Sequence, residues 1–318
     1  MPELITLGET MILLNPQVDG PLRYVEHFQR RAAGAESNVA IAVARLGHTT
    51  GWISRLGDDE FGRYILTSLR GDGVDVSQVR LGPGPTAVMF RQHGLLGRVD
   101  VIYYRRGSAA SSLEPDDLDP TYFTGARILH LTGITPALSA SCRATVAHAI
   151  ELARCAGLTI SFDPNLRLKL WPLAEAQVVL RDLIGRSDLI FVGLEEGETI
   201  FGCCGEDALA AAILGTGARA AVIKLGTRGG ALYTADASWH VPAYTVLRVV
   251  DPVGAGDGFD AGFLAGWLKG WDEEKCLRLG NLVGALAVTV PGDIEGYPDL
   301  AQISQYWEQT GSVDQVIR

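Results

Sequence analysis

Cysteine is scarce in this 318-residue chain: there are five, Cys142, Cys155, Cys203, Cys204 and Cys276. An odd, scattered set offers no framework of spaced pairs, which excludes a disulfide-stapled fold and points to reduced thiols in a cytosol. Positive charge is also short, with 27 Lys and Arg against 37 Asp and Glu and a formal net charge of -10. Such a chain lacks the clustered basic face that nucleic acid or an anionic membrane requires, so any anion it binds must be met by local arginines. The six histidines, His27, His48, His93, His130, His148 and His240, show no ligand spacing, which leaves zinc chemistry without a scaffold. No apolar run reaches the ~20 residues of a bilayer span; LGNLVGALAVTV falls short. The start, MPELITLGET, has no basic segment leading into an apolar one, so a soluble, unexported, cytoplasmic protein is expected. There is no Ser- or Pro-rich linker and no internal repeat, and residues 1–318 are expected to form one main domain.

What the chain does have is an alternation of strand-length apolar runs with amphipathic segments of helix length. LITLGE reads as a first strand, NVAIAVARLG as a helix from Asn38 stopped by Gly47, and TTGWISRLG as the next strand. ARILHLTG, LTISFDP, DLIFVGL and AAVIKLG are the short continuous runs of buried parallel strands, separated by helical stretches such as 140–155 and 205–216. The pattern predicts an α/β fold with one central, mostly parallel sheet flanked by helices. Two segments break it. Residues 11–30 and about 84–106 read as strands, the second with a turn at GLLGR, and are expected to form a small β-lid over the carboxyl edge of the sheet, where open α/β sheets bind ligands.

The stretch RVVDPVGAGDGF is expected to run from a strand, Leu247 to Val250, through Gly254, Ala255 and Gly256 into a helix with apolar residues Phe259, Phe263, Leu264, Trp267 and Leu268 at helical spacing. A glycine turn at a helix start bares N–H groups that can close on a phosphate, aided by the positive end of the helix dipole. Asp257 beside such an anion hole would repel a bound phosphate unless it takes a proton from the attacking hydroxyl. An aspartate at a helix start can also be simply an N-cap.

DPVGAGDGFDAGFLAG resembles the carboxyl-terminal signature of the ribokinase-like (PfkB) carbohydrate kinases, and AAGAESNVAIAVARLG and ISRLGDDEFG are similar to earlier segments of that family. The resemblance implies an ATP-dependent sugar kinase using Mg²⁺, with Asp257 as base and Gly254, Ala255 and Gly256 as anion hole. It implies that Gly34, Ala35 and Asn38 approach sugar hydroxyls, that Asn165 lies near the phosphates, and that Asp293 and Met89 border the sugar. IKLGTRGG resembles the nucleotide-binding loop, with Lys224, Gly226 and Gly229; without the family it reads only as a turn between strands. YYRRGSAAS, HLTGITPALS and DPNLRLKLW resemble the branch that phosphorylates 2-keto-3-deoxygluconate. A carboxylate calls for an arginine fork, which Arg105 and Arg167 could supply with a hydroxyl from Tyr103, although Arg167 could instead touch the ATP phosphates. Strand alternation sets Tyr103 with Arg105 on one face and Tyr104 with Arg106 on the other.

The chain departs from the family pattern where an Asn-x-x-Glu motif is usual: Gly193 stands at the asparagine and only Glu196, a candidate Mg²⁺ neighbour, remains. Ala33 stands where the first glycine of the sugar turn is usual. A nicotinamide-dependent dehydrogenase is disfavoured because the first strand runs into LGETMILL rather than a G-x-G-x-x-G turn. Phosphorylation of fructose or another neutral ketose is the alternative within the family; a non-catalytic sugar-binding regulator is the alternative outside it. The resemblance also implies a homo-oligomer formed through the lid, with a sugar acid and ATP as the small-molecule partners.

Overall fold

The computed structural model describes residues 1–93 and 99–307; the expected turn at GLLGR, 94–98, lies outside them. Fourteen described strands form two sheets. In chain order they are β1 Leu4–Leu7, β2 Met11–Pro16, β3 Phe28–Ala33, β4 Thr50–Gly57, β5 Val74–Asp75, β6 Val79–Gly82, β7 Val88–His93, β8 Val99–Tyr104, β9 Ile128–Thr132, β10 Thr159–Asp163, β11 Leu189–Gly193, β12 Ala220–Lys224, β13 Gly230–Tyr233 and β14 Ser238–Val241.

The central sheet runs β14-β13-β12-β11-β10-β9-β1-β4-β5, with β6 paired to β4. It is parallel from β12 to β5, with β13 and β14 added antiparallel at one edge. Registers such as Leu7 opposite Ile53 and Leu4 opposite Ile128 put apolar residues of neighbouring strands side by side. These strands are mostly apolar because both faces are covered. One face packs Trp52 and Phe191 against the helices Ala35–Arg45, Ala255–Leu268 and Glu273–Ala287, the second of which contributes Phe263. The other packs Phe162 and Ile190 against Ala140–Cys155, Leu173–Gly185 and Glu206–Leu214.

The segments 11–33 and 88–104 build a second, four-stranded sheet in the order β3-β2-β7-β8. Its inner face is a small apolar cluster of Met11, Leu13, Ala33, Ala87 and Met89, joined by Val101 and Tyr103.

Two local expectations need correction. The first helix begins at Ala35, not Asn38: extended Gly34 caps it, and the Asn38 N–H already donates to the Gly34 carbonyl at 2.7 Å. Residues Leu247 to Val250 form no strand. The run has the β-branched content of one but, among the described residues, no neighbouring strand to pair with; the Val250 N–H donates instead to the Val288 carbonyl, beyond the helix Glu273–Ala287, and Leu247 is 85% exposed.

Candidate active site

The parallel strands β9, β10, β11 and β12 end at Thr132, Asp163, Gly193 and Lys224, so their carboxyl ends form one edge of the sheet. Here the helix Ala255–Leu268 begins, and the inner face of the second sheet looks onto the same space. Together they enclose a cavity of about 650 Å³.

The floor is the glycine turn. Gly254 caps the helix with φ +80°, and a Cβ there would lie 2.2 Å from the Asp293 carbonyl oxygen, so only glycine fits. Tyr297 Oη donates to the Gly254 carbonyl at 2.8 Å and holds the turn in place. Asp257 lies in the first helical turn with Oδ2 accepting from Asn38 Nδ2 at 2.8 Å. Burial lifts its carboxyl to about 6; the Asn38 hydrogen bond, Lys224 and Arg167 oppose the rise, while Asp163 adds to it. A carboxylate with that value is mostly ionised at neutral pH yet basic enough to accept a proton, the range suited to a general base.

Below the turn, Lys224 Nζ contacts Asp163 Oδ2 at 2.9 Å and Asp260 Oδ1 at 3.1 Å. Asn165, which lines the cavity, is the one non-glycine residue with positive φ (+40°) among the described residues; its N–H donates to Asp163 Oδ1. Strained backbone of this kind concentrates at functional sites. Beside Asn38, Glu36 is buried, with Thr132 and Thr135 hydroxyls donating to Oε1 at 2.7 Å each. Burial pushes its carboxyl up to about 7.

The roof comes from the second sheet. Tyr103 and Arg105 face inward while Tyr104 is 67% exposed, as strand alternation requires. Arg105 is not free: its Nη2 lies 2.6 Å from buried Glu9 Oε2, whose other oxygen accepts from Ser108 Oγ. Arg167, by contrast, is exposed at the cavity mouth, with Nη1 3.5 Å from the Leu166 carbonyl. Met89 both lines the cavity and packs in the apolar cluster of the sheet. On the same face, Arg91 is 3% exposed and reaches Asp251 and Asp293, the latter at 2.5 Å.

Of the residues singled out in the sequence, the cavity gathers Gly34, Ala35, Asn38, Met89, Tyr103, Arg105, Asn165, Arg167, Glu196, Lys224, Gly254, Gly256, Asp257 and Asp293. It does not gather Ala255, Gly226 or Gly229. Gly226 and Gly229 belong to the tight connection of β12 to β13, where a Cβ at 229 would meet the Val241 carbonyl at 2.0 Å. Sequence reasoning missed Glu9, Arg91, Asp163, Asp251 and Asp260. One signal was available: Met89 and Arg91 are two apart in a strand and therefore share a face.

For Mg²⁺, the fit is limited. The Glu196 carboxylate accepts from the Leu166 and Gly193 N–H groups, and Gly193 contributes no side chain. Among the described residues no group of three or more His, Cys, Asp or Glu is placed to hold a metal. A divalent ion would therefore depend on phosphate oxygens and water for most of its ligands. Among the described residues no helix is long and apolar enough to cross a membrane.

The pfkB family carbohydrate kinase model matches residues 1–300. The chain is 40% identical over 316 residues to 2-dehydro-3-deoxygluconokinase of Bacillus subtilis (strain 168), covering 98% of each. It is 39% identical to the Thermoproteus tenax protein of the same name (94% of this chain, 92% of that one) and 32% identical to Fructokinase-1 of Zea mays (96% and 98%). Among solved structures, a PfkB protein from Polaromonas sp. JS666 superposes with a TM-score of 0.87 at 37% identity, covering 96% of this chain and 99% of that one. An Escherichia coli structure in complex with ATP and Mg²⁺ superposes with a TM-score of 0.90 at 27% identity and the same coverage. The fold, the glycine turn at the carboxyl edge of the sheet and these matches agree: the chain belongs to the PfkB family of carbohydrate kinases.

Proposed function

We propose that this sugar kinase transfers the γ-phosphoryl group of ATP to a hydroxyl of 2-keto-3-deoxygluconate, with Asp257 as the base. The observation that carries the reading is one cavity holding a buried carboxylate at a bare helix N-terminus on its floor and Tyr103, Arg105 and Arg167 at its roof and mouth. The acceptor O–H gives its proton to an Asp257 carboxylate oxygen as its own oxygen attacks the γ-phosphorus. The bond from that phosphorus to the β–γ bridging oxygen breaks and ADP leaves, without a covalent enzyme intermediate. N–H groups of the Gly254–Gly256 turn and the helix dipole stabilise charge on the transferring group. Asn38 orients the Asp257 carboxylate, and Gly34, Ala35, Met89 and Asp293 border the sugar. Asn165 faces the phosphates, and the Gly226–Gly229 turn lies toward the nucleotide. Glu196 is the residue that would be offered to a Mg²⁺ ion bound with ATP, and such an ion would supply charge neutralisation on the phosphates.

Arg167 is the free cation for the sugar carboxylate, and Arg105, held by Glu9, adds direction more than charge. The same pairing favours a second reading, a neutral ketose as acceptor, because a neutralised Arg105 demands no anion. The whole chain acts as one unit whose second sheet is the lid, in a reducing cytosol. Phe28, Phe90 and Tyr104, stacked edge to face on the outer side of that sheet, supply the homo-oligomer contact. The test is the acceptor: a 2-keto-3-deoxy acid should be phosphorylated in preference to a neutral ketose.

A further inference from the structure

The ammonium of Lys224 sits between two carboxylates that the phosphoryl-transfer account leaves without a task. Asp163 ends β10 and Asp260 lies one helical turn after Asp257; their side chains are 5% and 1% exposed. Nζ is 2.9 Å from Asp163 Oδ2 and 3.1 and 3.2 Å from the two Asp260 oxygens. Burial pushes the Asp260 carboxyl well above the usual carboxylate range, whereas the Lys224 ammonium holds that of Asp163 below it despite burial, so the proton of the pair sits on Asp260. With that proton the buried triad is neutral; without it, the triad would carry an unbalanced charge that burial penalises.

A purely structural ion triad is commonly no more stable than apolar side chains of the same volume. This one is not sealed. Lys224 lines the cavity with its side chain 16% exposed, and its register partner on β11 is Gly193, which has no side chain to cover it. Among the described residues, a Cβ at Gly256 would meet a single group within 4 Å beyond its own helix, the Lys224 ammonium at 3.5 Å. The ammonium therefore abuts the glycine turn from below, with nothing interposed. Lys224, at the end of β12, thus belongs to the phosphoryl end of the cavity.

We propose that Lys224 is the cation that meets the transferring phosphoryl group at the glycine turn, and that Asp163 and Asp260 are positioning residues that hold its ammonium there. The proposal rests on Asp257 being the base. Several groups act on Asp257: Glu36 and Asn38 from the first helix, Asp163 and Lys224 from the strand ends, Arg167 from the loop after β10, Asp260 from its own helix, and Asp293 and Tyr297 from the C-terminal segment. Within that set Lys224 favours the ionised base and Asp163 disfavours it, so the triad sets both the place of the cation and the pH at which the base works.

The experiment is the pH dependence of turnover in the full chain with saturating ATP and Mg²⁺, for Lys224→Met, Lys224→Arg, Asp163→Asn and Asp260→Asn. Loss of the ammonium should lower kcat roughly 100-fold or more, with sugar KM within about threefold, and move the acid limb to higher pH. Lys224→Arg keeps the charge and should recover at least about tenfold of that loss. Asp163→Asn should move the acid limb to lower pH, opposite to Lys224→Met, because it removes a negative charge from beside the base. Asp260→Asn keeps a neutral hydrogen-bonding partner and should shift the limb less than either. Opposite limb shifts are not produced by a merely structural role, and they are read on protein whose melting curve shows it folded. Should Lys224→Met fail to fold, the Lys224→Arg rate and the Asp163→Asn limb still decide. The proposal is overturned if Lys224→Met keeps kcat within about threefold, or if Asp163→Asn shifts the limb upward or not at all. Failure of the base itself is read separately, as retained turnover in Asp257→Asn.

Discussion

Arg91 is the strut between the second sheet and the phosphoryl end of the site, and its removal has a calculable cost. Its guanidinium is 3% exposed and bridges Asp251, 12% exposed, and Asp293, 6% exposed. Both aspartates frame the glycine turn: Asp251 accepts from the Val253 and Gly292 N–H groups, and the Asp293 carbonyl packs against Gly254. Arg91→Met leaves two carboxylates buried without their cation, a loss of about 3–5 kcal/mol for a broken buried pair. In a domain of this size that corresponds to a fall in Tm of roughly 6–15 °C. The deficit depends on pH. Burial lifts the Asp293 carboxyl to about 7 even though Arg91 opposes the rise, so Asp293 is ionised above pH 7 and protonated well below it. Arg91 stabilises the ionised form, and its contribution is therefore largest near pH 8 and shrinks toward pH 5, where Asp293 carries a proton in both proteins. Thermal melts of wild type, Arg91→Met, Asp293→Asn and the double variant at pH 8 and pH 5 form a complete cycle. The double variant should recover part of the Arg91→Met deficit at pH 8. A Tm within about 2 °C of wild type for Arg91→Met at pH 8, or a larger deficit at pH 5, would refute the strut.

Two further substitutions separate chemistry from recognition. Asp257→Asn should lower turnover roughly 100-fold or more while leaving ATP binding by calorimetry largely intact, because the amide keeps the shape but accepts no proton; retained turnover would remove Asp257 from its role. Arg167→Ala should reduce kcat/KM for a sugar acid by roughly 1–2 kcal/mol, about 5- to 30-fold, since the side chain is open to solvent, and should leave a neutral ketose nearly unaffected. Equal losses on both acceptors would assign Arg167 to the ATP phosphates instead.

The strands β9 to β12 were legible because buried parallel strands are short, unbroken apolar runs, and the second sheet because its segments interrupt that rhythm. The glycine turn was legible because residues without side chains at a helix start have few other uses. The start of the first helix was not: Gly34 caps through its backbone, whereas Asn38 has the side chain of a familiar cap and uses it on Asp257 instead. Leu247 to Val250 misled for the complementary reason, since β-branched residues form a strand only beside another strand. The buried partners Glu9, Asp251 and Asp260 sit 96, 160 and 36 residues from Arg105, Arg91 and Lys224 in the chain. No local pattern marks an ion pair of that separation. The sequence consequently presented Arg105 as a free fork for a carboxylate, while the fold shows it already paired.

The most direct measurement is ADP release by the purified protein with ATP and Mg²⁺, comparing 2-keto-3-deoxygluconate, 2-keto-3-deoxygalactonate, fructose and ribose at equal concentrations. A sugar-acid kinase releases ADP with the keto-deoxy acids at least about tenfold faster than with the neutral sugars, as expected for a charge-assisted contact to the carboxylate. Faster release with fructose or ribose would contradict the sugar-acid reading, and no release with any of the four would contradict the kinase chemistry assigned to Asp257.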